Sequence, residues 1–289
     1  MTEQNTKKSS IFQRTNINIF WLLLLFTSFI FLYYPVFLKL IHDWEVDPNY
    51  SHGYFIPLIF IFMIWTSRNE LKNTATRPNN LGIIILIFGL AQLTVARIGS
   101  EYFLEGSSLI LVLLGIVLFI WGVEATKILL IPILYLIFMI PLPAIIWNQI
   151  SFPLALFAST ISEQVISSLG MTILREGNIL TLPNITLQVV DACSGLRSLL
   201  TLLALSALIA YFSEQKNLKR IIIFLAAIPI AIFCNLIRLT VTAILARSYG
   251  EKVAHGFIHD FSGIFVFILG LAILLLFTKI LERKTPSTT

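Results

Sequence analysis

The chain has 289 residues, of which 57% are hydrophobic and 12% are charged, and its mean hydropathy is +0.89. Soluble domains carry about 25% charged residues, so this composition argues against a soluble globular protein, and it rules out a disordered chain or a coiled coil because both need a polar surface. The net charge of +5 therefore has to be divided between the two sides of a bilayer.

Eight apolar runs follow one another along the chain, and we expect each to be a transmembrane helix. A hydrocarbon core about 30 Å thick needs about 20 apolar residues per helix. The first run is longer than the apolar region of a signal peptide, so we expect it to stay in the protein. The runs lie near Ile17 to Leu40, Gly53 to Trp65, Leu81 to Ile98, Ser107 to Val123, Ile128 to Trp147, Gly195 to Phe212, Ile221 to Ala243 and Gly263 to Ile280.

The basic residues predict the orientation of these helices. Most of them fall in alternate connecting segments, which the positive-inside rule assigns to the cytoplasm. We therefore expect a single integral membrane domain over residues 1–289, with cytoplasmic tails at 1–16 and 281–289. The basic residues on the predicted cytoplasmic side are Lys7, Lys8, Arg14, Arg68, Lys72, Arg77, Lys127, Lys216, Lys219, Arg220, Lys279, Arg283 and Lys284.

The segment 148–194 is the longest predicted extracytoplasmic connection. Its first half has helical apolar spacing interrupted by polar residues, which favours a small interfacial helix over a span. Its second half reads as a short β-ribbon, with strands at Met171 to Leu174, Ile179 to Leu182 and Ile185 to Val190 separated by turn residues. Cys193 follows directly after the ribbon. The predicted fold is thus an all-α polytopic membrane protein with about eight helices and this extracytoplasmic element.

Reactive side chains stand at the predicted outer ends of three helices. Cys193 precedes the sixth run, and His259 precedes the eighth. Arg238 lies 17 residues after Ile221 in the seventh run, or about 26 Å along a helix. We therefore expect a thiol, a guanidinium and an imidazole at one depth of the membrane.

These three groups suit acyl transfer. A thiolate is a nucleophile, and a nearby cation or a helix N-terminus lowers the pKa of its thiol. An imidazole transfers protons, and an arginine stabilises a tetrahedral oxyanion. The pattern predicts the outward-facing site of a cysteine peptidase or transpeptidase.

The ordered motifs resemble the signature of the exosortase/archaeosortase family. They are Cys193-Ser194-Gly195-Leu196-Arg197-Ser198, Asn235-x-x-Arg238 and His259-x-x-x-Gly263, and an earlier segment, Tyr50-Ser51-His52-Gly53-Tyr54 with Pro57, resembles the family's outer-loop motif. His259 in the third motif favours the bacterial exosortase branch. The likeness extends over roughly residues 45 to 275.

This resemblance implies a membrane enzyme that cleaves C-terminal sorting signals of secreted proteins. In bacteria such a signal is a short PEP-CTERM motif, of the Pro-Glu-Pro kind, followed by a transmembrane helix and a basic tail. The resemblance makes Cys193 the nucleophile, Arg238 the oxyanion-side or positioning cation and His259 the proton-transfer group. It also implies an inner-membrane location and a site facing the periplasm. Water or an amine on an envelope component would resolve the thioester.

Five further residues are candidates for supporting or substrate-binding roles. Asn235 shares a helix face with Arg238 that points into the bundle. Arg197 lowers the pKa of the thiol, binds an acidic substrate residue, or only anchors the helix at the interface. Asp191 orients a partner or simply ends the ribbon. His52 has only the resemblance in its favour, and His255 is more simply a solvated neighbour of His259.

Two other functional classes remain open. A transporter would use polar groups near the membrane centre and broken helices, for which Pro229 is the one sign. A thiol-disulfide oxidoreductase would use Cys193 and Cys234, although the chain lacks a Cys-x-x-Cys pair. We read Cys234 as packing, with a disulfide to Cys193 as the rival interpretation. The sequence implies no metal, no organic cofactor and no nucleic-acid partner; membrane lipid is the expected surrounding.

Overall fold

The computed structural model describes residues 19–183, 185–189, 195–249 and 257–283, with the backbone alone described at 247–249, 257–261 and 283. The chain divides into two compact units, Met1–Pro143 and Ala144–Thr289. The first unit contains α1 (Ile19–Val46), α2 (Phe55–Thr66), α3 (Arg68–Asn73), α4 (Leu81–Gly99), α5 (Tyr102–Trp121) and α6 (Val123–Tyr135), with 3-10 helices at Pro48–Tyr54 and Leu136–Met139.

The hairpin of α4 and α5 is packed so closely that two glycines are required. A β-carbon at Gly82 would lie 2.3 Å from the backbone nitrogen of Phe119, and one at Gly115 would lie 2.7 Å from that of Leu86. Small residues at such contacts let helix backbones approach each other in a membrane, where dispersion contacts replace the hydrophobic driving force.

The predicted fifth apolar run, Ile128 to Trp147, is not one helix. α6 ends at Tyr135, one 3-10 turn follows, and the next α-helix begins at Ala144. Pro141 and Pro143 explain the break, because proline has no backbone N–H to donate and restricts the residue before it. The boundaries predicted for this run were therefore wrong.

The second unit contains α7 (Ala144–Ser168), β1 (Leu174–Glu176), β2 (Ile179–Leu182), β3 (Ile185–Gln188), α8 (Leu196–Phe212), α9 (Asn217–Tyr249) and α10 (Phe257–Arg283). The three strands form an antiparallel sheet in sequence order, with Leu180 opposite Leu187. The predicted β-ribbon is thus confirmed. Alternate strand residues are buried with side chains of α7 and α9 in one apolar core, which includes Ala155, Ile166, Leu180, Leu187, Leu239 and Ala243.

The small interfacial helix predicted after residue 148 is instead the continuation of α7, which starts at Ala144 and runs for 25 residues. Two of its polar residues make contacts with other elements of the unit. Ser162 accepts a hydrogen bond from Thr240 of α9 at 3.3 Å, and Glu163 pairs with Arg175 of β1 at 2.8 Å. Ser162 and Glu163, two of the polar interruptions that suggested an interfacial helix, therefore make contacts within the unit.

Six helices of the described chain are long and apolar enough to cross a membrane, which confirms an all-α polytopic architecture. They cover Ile19–Val46, Leu81–Gly99, Tyr102–Trp121, Ala144–Ser168, Asn217–Ala246 and Ser262–Glu282. α8 is a shorter apolar helix of 17 residues, and the predicted second span corresponds to the 12-residue α2. The eight predicted runs thus include elements shorter than a full span.

Candidate functional site

The N-terminus of α8 packs directly against α9. Gly195 precedes α8 with φ of 85°, in the left-handed region. A β-carbon at this position would lie 2.6 Å from Cγ of Asn235 and 2.8 Å from its Nδ2. Glycine is therefore needed for both the backbone conformation and the close approach.

Two polar residues of α9 lie where α8 and α10 meet it. Asn235 is 2% exposed, and Arg238, one turn further along, is half-buried. A β-carbon at Gly263 of α10 would lie 3.9 Å from Nη1 of Arg238. One face of α9 thus touches the start of α8 through Asn235 and the first turns of α10 through Arg238.

Several predicted site residues lie in parts of the chain whose side chains are not described. Asp191, Cys193 and His255 lie outside the described residues, and for His259 only the backbone is described, in the first turn of α10. Their sequence neighbours are the residues that meet at α9. Gly195 comes two residues after Cys193, and Gly263 comes four residues after His259. The convergence of the three reactive groups stays a prediction.

Asn178, one of the predicted turn residues of the ribbon, holds the chain at Val189. Its backbone carbonyl accepts a hydrogen bond from the N–H of Val189 at 2.8 Å, and its Nδ2 donates to the carbonyl of Val189 at 3.0 Å. Val189 is 1% exposed and packs in the same core as Leu239, the residue after Arg238. The chain is therefore anchored on α9 just before the segment that holds Cys193.

The remaining candidates of the second unit occupy different surroundings. Arg197 is exposed in the first turn of α8, whereas its neighbour Leu196 is buried. Cys234 is a buried free thiol, and a β-carbon at Gly270 of α10 would lie 3.7 Å from its Sγ. Cys234 thus packs between helices, as expected for a structural cysteine.

His52 belongs to a hydrogen-bonded cluster in the first unit. Its Nε2 donates to the carbonyl of Phe138 at 3.1 Å, and burial lowers the pKa of its imidazole below 6.5. The N–H of Leu142 donates to the Tyr50 hydroxyl at 3.0 Å, and burial raises the pKa of that hydroxyl to about 12. Both residues therefore bind backbone groups of the break after α6.

Trp44 completes this cluster and explains the glycine of the outer-loop motif. Its indole Nε1 donates to the carbonyl of Met139 at 2.8 Å. A β-carbon at Gly53 would lie 2.3 Å from the same Nε1. The motif that resembles an outer-loop signature thus satisfies backbone groups of the segment between α6 and α7, which no regular helix pairs.

A family model described as transmembrane exosortase (Exosortase_EpsH) matches residues 44–276. This range includes the outer-loop motif, the sheet and all three motifs of the second unit. No curated protein matches the chain at a significant level, and no solved structure does so either.

Proposed function

Because the chain belongs to the transmembrane exosortase family, we propose that it is a cysteine peptidase or transpeptidase that cleaves PEP-CTERM-like C-terminal sorting signals of secreted proteins. Membership of this family supports a multi-pass membrane enzyme that processes sorting signals. The finer assignments are Cys193 as the nucleophile, Arg238 as the oxyanion-side cation and His259 as the proton-transfer group.

One observation carries these assignments: the face of α9 that holds Asn235 and Arg238 contacts both Gly195 and Gly263. Cys193 is two residues from Gly195, so their Cα atoms are at most about 7 Å apart. His259 is one helical turn, about 6 Å of rise, before Gly263 and on the same side of α10. This covalent connectivity supports the proposal that both residues lie near Arg238.

The proposed reaction begins when the His259 imidazole takes the proton of the Cys193 thiol, and the resulting thiolate attacks the carbonyl carbon of the scissile peptide bond. The N-terminal end of α8, which starts at Leu196, favours the thiolate through the helix dipole. Arg238 donates hydrogen bonds to the tetrahedral oxyanion, the position at which such donors lower the barrier most.

Collapse of the intermediate breaks the C–N bond and leaves a thioester on Cys193. The His259 imidazolium gives its proton to the departing amine, which leaves with the anchoring helix of the substrate. Water or an amine on an envelope component then attacks the thioester carbonyl, transfers its proton to the imidazole and restores the thiolate. The products are the separated anchor and either the freed protein, after attack by water, or the protein joined to the acceptor by a new amide bond, after attack by an amine.

The substrate proposed for this site carries a short motif, one transmembrane helix and a basic tail. In the predicted orientation the enzyme spans a bacterial inner membrane, with both termini in the cytoplasm and the site facing the periplasm. The helix of the substrate would then place the scissile bond at the outer interface, and its basic tail would remain on the cytoplasmic side.

Co-expression with a secreted protein that bears such a signal tests this proposal. We expect the Cys193→Ala variant to accumulate in the membrane and leave the substrate uncut, whereas Cys234→Ala processes it fully. Mass spectrometry of the mature C-terminus identifies the cut and the acceptor. Full processing by Cys193→Ala refutes the mechanism, and loss of processing in Cys234→Ala supports a dithiol enzyme instead. Labelling of Cys193 by an impermeant maleimide in intact cells tests the periplasmic orientation.

A further inference from the structure

An apolar groove opens on the surface of the first unit, away from the cluster around His52. It encloses about 540 Å³, a volume within the usual range of small-molecule sites. Its walls come from α2, α5 and α6 and are almost entirely hydrocarbon. The residues that define the walls include Phe60, Ile64, Leu113, Val117, Leu129 and Ile133.

Two cations line one end of the groove. Arg68 and Lys72, both on α3 and both exposed, lie at this end. The Arg68 guanidinium stacks over the Trp65 ring at 4.0 Å from the ring centroid, and its Nη1 donates to the Trp65 carbonyl at 2.8 Å. These contacts hold the guanidinium at the rim, where its other N–H groups can reach a ligand.

The neighbouring charges leave this end of the groove positive. Glu124 near the start of α6 pairs with Lys127 at 2.9 Å, and Glu70 is exposed on α3 but does not line the groove. The two lining cations therefore favour an anionic group beside an apolar chain. Basic pockets between membrane helices bind the phosphate head groups of anionic lipids in this way.

The length of the groove separates a lipid from a helical substrate. Along α5 it extends from Leu113 to Trp121, which is about 12 Å at 1.5 Å per residue. One leaflet of the hydrocarbon core is about 15 Å deep, whereas a spanning helix needs about 30 Å. The groove thus fits an acyl chain from one leaflet. The basic tail of a sorting signal would also be repelled by Arg68 and Lys72.

We propose that this groove binds an anionic glycerophospholipid, with one acyl chain between α2, α5 and α6 and with its phosphate held by Arg68 and Lys72. The lipid belongs to the leaflet at the α3 end, which the distribution of basic residues predicts to be the cytoplasmic one. Its chain covers apolar side chains of α2 and α6, so the lipid acts as a packing element of the first unit.

Native mass spectrometry of the full chain in detergent tests this site. The probes are a phosphatidylglycerol and a phosphatidylcholine with identical acyl chains, added in equal amounts. Both lipids carry the phosphate, but the choline cation of phosphatidylcholine offsets its negative charge, so attraction of the net charge to two basic residues predicts a preference of about thirtyfold for phosphatidylglycerol. The double variant Arg68→Gln/Lys72→Gln should bind both lipids equally.

Two matched controls keep the test specific. Lys216→Gln/Lys279→Gln removes two exposed cations of the second unit and should leave the preference unchanged. Leu129→Trp fills the groove and should reduce bound lipid of both kinds, whereas Leu130→Trp alters its neighbour, which does not line the groove.

Equal binding of the two lipids by the unaltered protein would overturn the proposal, as would an unchanged preference in the Arg68/Lys72 variant. Displacement of the lipid by a sorting-signal helix would assign the groove to the substrate instead.

Discussion

Asn235 of α9 occupies the space that any side chain at residue 195 would need. A β-carbon on Gly195 would lie 2.6 Å from Cγ of Asn235, closer than non-bonded carbon atoms approach in proteins. The contact ties the start of α8 to the helix that carries Arg238. The glycine of one motif is thus required by the position of the asparagine of another.

Gly195→Ala should unfold more readily and lose processing activity. The φ of 85° alone costs a non-glycine residue about 1–3 kcal/mol, and displacement of Asn235 adds to this. Thermal unfolding in detergent and substrate cleavage measure the two effects. Gly170→Ala is the matched control, since Gly170 has a φ of 77° but nothing within 4 Å of a β-carbon. A Gly195→Ala variant no more impaired than Gly170→Ala would contradict the packing argument.

Arg238→Gln should fold and cleave slowly. Removal of one oxyanion donor typically lowers the catalytic rate by about 10²–10³-fold, and Arg238→Lys should recover part of it, because an ammonium keeps the charge but lacks the planar fork of donors. Steady-state cleavage of a sorting-signal peptide gives the rates.

Arg220→Gln, in the first turn of α9, is the control for Arg238. Nε and Nη2 of Arg220 donate to the Ser213 carbonyl at 3.1 and 2.8 Å. The variant should lose about 1 kcal/mol of stability and keep its rate per folded molecule. Equal rate losses in the two arginine variants would show that Arg238 acts only through stability.

Asn178→Ala should lower kcat more than its loss of stability explains. The variant removes the hydrogen bond that holds the Val189 carbonyl at 3.0 Å, a contribution of about 1 kcal/mol, and thereby loosens the approach to Cys193. Glu163→Gln weakens the ion pair with Arg175 without touching Val189, so kcat should stay at the level of the unaltered enzyme. A change in KM alone for Asn178→Ala would argue against the positioning role.

His52 should make the stability of the protein depend on pH. Burial lowers the pKa of its imidazole below 6.5, so near neutral pH both the folded and unfolded states hold the neutral ring. As the pH falls below 6.5, the unfolded chain takes up a proton before the folded one, and stability decreases. Unfolding temperatures measured from pH 7.5 to 5 should therefore drop less steeply in His52→Gln. Parallel curves for the two proteins would contradict the burial of this ring.

The sequence alone was enough to predict the membrane class, the β-ribbon and the order of the motifs. Strand alternation between turn residues located β2 and β3 closely, since that pattern is local. The sequence alone did not predict the start and the full length of the helix from Ala144 to Ser168. The polar residues Ser162 and Glu163 suggested an interfacial helix, whereas they bind partners on other elements of the unit, Thr240 of α9 and Arg175 of β1.

Composition and apolar run lengths determined that the chain crosses a membrane several times, because the cost of burying polar groups in hydrocarbon acts on every residue separately. Tertiary structure decided where helices end and which faces meet. Pro141 and Pro143 interrupt the helix locally, but the segment after α6 is held in place by hydrogen bonds from Trp44 and His52 to Met139 and Phe138. The close packing of α8 against α9 likewise involves Asn235. Such contacts join residues about 40 to 95 positions apart, so they become visible only once the helices are packed.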